Sequence, residues 1–205
     1  MLAAASRGRG LCGLVRRGVH NSAAAKPLVV FDLDDCIFPF CSEKPQYSNM
    51  TRAHLLSHHG PTVERRGDML RALKDDGYTL AIASRCWYPD VNRRYLGWFG
   101  LWDLFSYREM YPTGPNSPPG QPMHPTWGRD KERHFLRLHE DTGVAFKDMV
   151  FFDDLLEGNV QYTEDRFGLM AIHTPDGLEQ EHIDEALARW SRQYEGEGED
   201  EAVAA

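Results

Sequence analysis

Residues 28–40, LVVFDLDDCIFPF, constrain this chain more than any other stretch. The first four are an apolar run of strand type that stops on Asp32, and a second carboxylate, Asp34, follows two positions later. Residues two apart in extended backbone share a face. An apolar strand that ends by aiming two carboxylates the same way is costly unless something compensates them. A hard cation is the simplest compensation, and Mg2+ binds through one or two carboxylates plus a substrate phosphate. Taken alone, the stretch also reads as an Asp-rich surface turn.

The pattern recurs twice. Residues 78–85, YTLAIASR, are an apolar run closing on Ser84 and Arg85, and residues 149–154, MVFFDD, close on Asp153 and Asp154. Helical stretches are expected between them. One spans 63–76, with Met69, Leu70 and Leu73 as its stripe and Gly77 as its cap. A second runs from Asp90 to about 99. A third starts on Asp130, carries Lys131 in its first turn and ends before Gly143. A helix over 160–167, a strand over 169–172 and a helix over 178–194 complete the body, the last with Ile183, Leu187 and Trp190 on one side. Strand–helix alternation with all-apolar strands predicts an α/β fold, a Rossmann-like doubly wound parallel sheet covered on both faces. Ligands bind beyond the carboxyl ends of such strands. Asp32, Ser84 and the Asp153–Asp154 pair would therefore meet on one edge.

Lys131 sits at a helix N-terminus, on the unfavourable side of the helix dipole. A residue placed against local preference marks a site. The assembled set is Asp32, Asp34, Ser84, Lys131, Asp153 and Asp154, which suits Mg2+-assisted phosphoryl transfer. Asp32, fixed by its strand, is placed to attack phosphorus and form an aspartyl phosphate. Asp34 is placed to protonate the leaving oxygen and then to activate water.

Composition narrows the partners. The first 25 residues hold Arg7, Arg9, Arg16 and Arg17 and no acid, the composition of an organelle transit peptide, mitochondrial ahead of plastid, with a disordered basic tail of a cytoplasmic protein as the alternative. Without those arginines, 19 basic residues face 31 acidic ones, a formal charge of −12. Such a body lacks the basic footprint of a nucleic-acid binder. No stretch approaches the ~20 apolar residues that span a membrane. The domain is expected over 26–194, followed by an acidic, Gly-containing tail at 195–205 read as disordered. Residues 38–60 read as an irregular connection in which His54, His58 and His59 are a solvated face. Residues 112–128 hold six prolines and form a loop. The cysteines, Cys12, Cys36, Cys41 and Cys86, read as reduced thiols, and neither their number in the body nor their spacing suits a disulfide set or a zinc site.

The phrases DLDDCIFPF, AIASR, REMYP, HFLRLHEDTGV and MVFFDD, in this order, resemble the haloacid dehalogenase superfamily of phosphatases, and within it the magnesium-dependent phosphatases. The resemblance covers most of residues 28–175. It implies a sheet with little or no cap domain, with Asp32 as nucleophile and Asp34 as general acid/base. It places Mg2+ on the Asp32 side chain, the Asp34 main-chain carbonyl and the Asp154 side chain. Ser84 and Lys131 would hold the phosphoryl group, Arg85 would be a further substrate contact, and Asp153 would orient the metal's surroundings or cap a helix. Phosphorylated small molecules of sugar type or phosphotyrosine are the implied substrates. Four departures stand out: Cys36 where the family usually has Thr, Leu155 after the acid pair where it commonly has Glu, one extra residue in LLEGNV, and the 112–128 insertion. They leave open a weak or non-catalytic binding module of the same fold, or a nucleotidase. They also raise oxidation of Cys36 or Cys86 as a route to inhibition. Oligomeric state is not legible from the sequence.

Overall fold

The computed structural model of the chain describes residues 26–48, 50–86, 88–111 and 131–203. The expected transit segment 1–25, the Pro-rich 112–128 stretch and the expected helix cap Asp130 lie outside the described residues.

Five strands form one parallel sheet: β1 (Leu28–Phe31), β2 (Thr79–Arg85), β3 (Tyr107–Tyr111), β4 (Met149–Asp153) and β5 (Met170–His173). Their spatial order is β3-β2-β1-β4-β5, so the chain reverses its direction of travel across the sheet at β1. In register, Phe31 lies between Ile82 of β2 and Phe152 of β4. The residues that follow these three positions therefore emerge together at the switch point, where α/β sheets bind ligands.

Alternation of side chains divides the strands between two cores. Val29, Phe31, Leu80, Ile82, Val150, Phe152 and Ile172 face one side. There they meet α2 (Arg52–Asp75), α3 (Pro89–Trp98) and α6 (Gln180–Val203). Val30, Ala81, Ala83, Met149, Phe151 and Ala171 face the other, against Phe135 and Leu138 of α4 (Glu132–Thr142) and against α5 (Gln161–Phe167). The central strands β1 and β4 are buried along their whole length, which is why they read as continuous apolar runs.

Three elements differ from the sequence reading. α2 begins at Arg52, not near 63, and carries Pro61 inside it. The Thr51 side chain accepts from the His54 N–H at its start, and the buried positions Leu55, Val63, Arg66, Met69, Leu70 and Leu73 run on through the proline. Packing of that stripe outweighs the one hydrogen bond that Pro61 cannot donate. The second difference is β3, whose YREMY sequence hides a strand. Among the described residues it pairs only with β2 and lies at the sheet edge, so polar residues are tolerated. Third, α6 is described through Val203, across the Glu-rich segment read as a tail. The expected caps are partly moved as well: Tyr88 holds the N-cap position of α3 with Asp90 in its first turn, and Lys131 itself holds the N-cap position of α4. Gly143 closes α4 in the left-handed conformation, as its place in the sequence predicts.

Buried Arg66 of α2 ties three segments together. It donates to the Leu178, Ile37 and Asp176 carbonyls at 3.1, 3.3 and 2.9 Å. Ile37 belongs to the turn that follows Asp34, and residues 176–178 lead from β5 into α6. Gly177 permits the close approach, since a Cβ there would fall on the guanidinium. Replacing Arg66 by Met orphans these carbonyls and should cost about 3 kcal/mol of stability. Urea unfolding measures it, and a loss below about a third of that would mean the strut is dispensable.

Candidate active site

The functional groups sit where three strands end. The Asp32 N–H donates to the Phe152 carbonyl at 2.9 Å, so the ladder still holds the chain at the first carboxylate. Then the backbone turns back over Leu33–Ile37. Asp34 keeps extended angles and Asp35 adopts φ 55°, ψ 0°, a left-handed conformation that Asp tolerates better than most residues. This turn, rather than a continued strand, brings Asp34 to the same cavity as Asp32.

At the centre is Lys131, 1% exposed. Its Nζ lies 2.6 Å from Asp32 Oδ1, 2.7 Å from Asp153 Oδ2 and 2.5 Å from the Ala83 carbonyl oxygen. One ammonium thus joins β1, β4 and β2 at their ends. Burial alone would lower the Lys131 pKa, but Asp153 and Asp32 outweigh it and raise it, so the side chain stays charged. Asp32 is pushed up to about 6, because burial and the Asp153 charge together exceed what Lys131 relieves.

Asp153 and Asp154 divide their tasks. Asp153 is fully buried and, besides Lys131, accepts from the Leu155 N–H at 2.8 Å and from Asn159 Nδ2 at 2.8 and 3.0 Å. Its acceptor positions are largely filled. Asp154 is only partly buried and lines the cavity, and its main-chain carbonyl is bonded to His173 Nε2 at 2.9 Å. Burial, then Asp153 and Asp32, push Asp154 up to about 7. Asp34 is likewise pushed up to about 7 by burial and the Asp32 charge, against two hydrogen bonds from Ser42 that lower it. The Ser42 hydroxyl donates to Asp34 Oδ2 at 3.0 Å, while Asp34 Oδ1 is buried without a partner.

These features fit a divalent cation. Four carboxylates face one ammonium, and one ligand oxygen each of Asp32, Asp153 and Asp154 lie within 4.8 Å of one another. Since Asp153 is occupied by Lys131, Leu155 and Asn159, Asp32 and Asp154 are the carboxylates left to bind it. Ser84 is buried at the end of β2 with a hydroxyl that has no protein partner, the condition of a group that awaits a ligand. Arg85 lines the cavity, which encloses about 220 Å3 between Asp32, Asp34, Glu43, Lys131, Asp154 and Leu155. A larger, shallow groove of about 650 Å3 runs along α2 past Arg65 and Met69, away from the strand ends and from any of these groups.

All six side chains singled out in the sequence for catalysis, substrate or metal are thus brought to one edge: Asp32, Asp34, Ser84, Arg85, Lys131 and Asp154. Asn159 and His134 were not. Asn159 holds Asp153, and His134 Nε2 lies 3.0 Å from the Ser84 carbonyl. Two expectations change. Cys36 and Cys86 are fully buried, and burial pushes both thiols up, so they stay protonated and poorly reactive. The described part of 38–60 is not an irregular connection: Pro45–Ser48 and the start of α2 are helical, and Phe40 packs with its ring centroid 4.6 Å from those of both Tyr47 and His59. His54 and His58 lie on the exposed face of α2, as the sequence predicts.

Comparison with known proteins agrees with this chemistry. The family model described as acid phosphatase matches residues 25–193. Magnesium-dependent phosphatase 1 of Homo sapiens is 27% identical over 179 residues, 82% of this chain and 89% of that protein. Two solved structures share the fold. The phosphatase-domain-containing N-terminal part of a Bacteroides fragilis protein, complexed with Mg, superposes with a TM-score of 0.53 at 15% identity over 74% of this chain. This chain spans only 36% of that structure. An uncharacterised protein of Listeria monocytogenes serotype 4b gives a TM-score of 0.50 at 19% identity, over 75% of this chain and 83% of that one.

The raised carboxylates set a pH dependence. In the cation-free protein Asp32, Asp34 and Asp154 hold protons up to about 6, 7 and 7, where their unfolded counterparts release them near 3.8. Their contribution to stability is therefore fully present below pH 4 and is lost as pH rises through 6 to 7. A divalent cation held by these carboxylates would take the place of those protons. Its effect on the melting temperature should be small at pH 5 and several-fold larger at pH 8. Equal shifts at both pH values would show that the ion binds elsewhere.

Proposed function

The chain belongs to the acid phosphatase family, within the haloacid dehalogenase superfamily, and on that premise we propose that it is a Mg2+-dependent phosphomonoester hydrolase working through an aspartyl phosphate on Asp32. The observation that carries this reading is the Asp32–Lys131–Asp153 triad at the switch point of the sheet. Lys131 holds one oxygen of Asp32 in place and keeps positive charge beside the incoming phosphoryl group. Asp32, Asp154 and the Asp34 carbonyl would hold Mg2+, which would supply further positive charge at the site.

In the first step an Asp32 carboxylate oxygen attacks phosphorus, the bond to the ester oxygen breaks, and that oxygen takes a proton from Asp34. In the second, Asp34 takes a proton from water, whose oxygen attacks the phosphoryl group, and phosphate leaves as the Asp32 carboxylate is restored. An Asp34 pKa near 7 suits both halves. Ser84 Oγ donates to a phosphoryl oxygen, and Arg85 contacts the ester from the cavity wall. Leu155, 48% exposed at the rim, offers apolar surface to the leaving group. Small phosphorylated metabolites of sugar type and phosphotyrosine are the substrates that suit a site with no cap among the described residues. No group the chemistry requires is missing, which argues against a purely binding role.

Hydrolysis of p-nitrophenyl phosphate should require Mg2+, stop with EDTA and fall by more than about a thousandfold in Asp32→Asn. Asp34→Asn should lose most of its steady-state rate. Undiminished turnover in Asp32→Asn would remove it as nucleophile.

We further propose that residues 1–25 direct the protein to mitochondria, on the strength of four arginines and no acid. A fusion of this segment to a fluorescent protein should collect there, and a diffuse cytosolic signal would refute the assignment.

A further inference from the structure

His134 is a fully buried titratable side chain that the proposed chemistry does not use. It lies in the first turn of α4, three residues after Lys131. From there the two side chains reach consecutive carbonyls of β2: Lys131 Nζ is 2.5 Å from that of Ala83, and His134 Nε2 is 3.0 Å from that of Ser84. A carbonyl only accepts, so Nε2 carries the proton of this bond. Burial, followed by the nearby Lys131 charge, keeps the His134 pKa well below the ordinary histidine value, so the ring is neutral and adds no second cation beside Lys131. Without this bond the Ser84 carbonyl would lose a buried donor, and the peptide carrying the Ser84 hydroxyl would be freer to turn.

We propose that His134 is a positioning residue: its Nε2–H bond to the Ser84 carbonyl fixes the end of β2 so that the Ser84 hydroxyl is held ready for a phosphoryl oxygen. The inference rests on the reading of Ser84 given above. α4 then serves the site twice, gripping β2 with His134 while Lys131 pairs with Asp32. The preference is geometric, since a histidine at this helix position reaches the strand carbonyl next to the one that Lys131 reaches.

The test compares His134→Phe, which fills the volume without a donor, with His134→Gln, which keeps an N–H at similar reach, each alone and combined with Ser84→Ala. Hydrolysis of p-nitrophenyl phosphate and the affinity for inorganic phosphate with Mg2+ are both measured, with thermal melting to confirm folding. His134→Phe should lower kcat/KM and weaken phosphate binding by about tenfold, the scale of one buried hydrogen bond. His134→Gln should recover most of both. In the Ser84→Ala background, His134→Phe should cost nothing further. Wild-type kinetics in His134→Phe, no recovery in a folded His134→Gln, or full additivity with Ser84→Ala would each overturn the proposal while leaving the phosphatase reading intact. A wild-type protein that neither hydrolyses the ester nor binds phosphate would instead bring down the reading of Ser84, and this inference with it.

Discussion

Everything at the functional edge depends on one buried ammonium. Lys131 is 1% exposed and is shared between two carboxylates and a carbonyl, each delivered by a different strand. Neither partner could be buried charged without the other. Burial raises the Asp32 pKa and by itself would lower that of Lys131, so each charge relies on the other. The lysine also spans the two halves of the sheet. Asp32 comes from the strand where the order reverses, Asp153 from one side of it and Ala83 from the other. The triad thus converts a sheet topology into a fixed position for the Asp32 carboxylate. It explains why a lysine stands at the N-terminus of α4 against the helix dipole: the unfavourable half-turn is offset by a salt bridge with two buried acids.

Around the triad, the surplus of negative charge is the working feature. With Asp34 and Asp154 added, the carboxylates outnumber the ammonium, and burial forbids leaving that excess unpaired. The protein has two solutions, protons or a divalent cation, and both leave signatures here. Protons appear as the upward shifts of Asp32, Asp34 and Asp154. A cation would account for the gathering of one oxygen each of Asp32, Asp153 and Asp154 within 4.8 Å of one another. Asp153 serves both by orientation: its bonds to Lys131, Leu155 and Asn159 stiffen the turn that presents Asp154.

The parts of the site that were legible in the sequence are those that interrupt an apolar strand. A buried strand is a run of one character, so Asp32, Ser84 and Asp153 stand out where β1, β2 and β4 stop. Parallel alternation then predicts that they meet. Lys131 was legible because it contradicts its helix. The rest was hidden for physical reasons. The first three turns of α2 were masked by Gly60 and Pro61, whose local cost is overridden by a buried stripe visible only once the partner sheet exists. β3, at the edge, needs few apolar residues, so YREMY lacks a strand's signature. His134, Asn159 and Arg66 act on main-chain carbonyls or on another side chain, and a contact to a carbonyl leaves no mark on the sequence that supplies it. Oxidation of Cys36 or Cys86 was expected because both stand beside site residues in the sequence. Their burial makes them packing residues instead.

Asp34 shows how the fold tunes a group rather than merely placing it. An acid that must first give a proton and then take one works best when its pKa lies near the working pH. Burial and the charge of Asp32 raise it, and Ser42 draws it back, with a result of about 7 in the cation-free protein. A cation held by Asp32 and Asp154 would offset the Asp32 charge and draw the Asp34 pKa down. Ser42 is within reach because residues 33–37 turn the chain and the aromatic stack of Phe38, Phe40 and Tyr47 holds the return segment down. The left-handed Asp35 is what allows that turn. The left-handed Asp35 thus lets the turn bring Asp34 to the cavity that Asp32 lines, where the Asp32 charge raises its proton affinity.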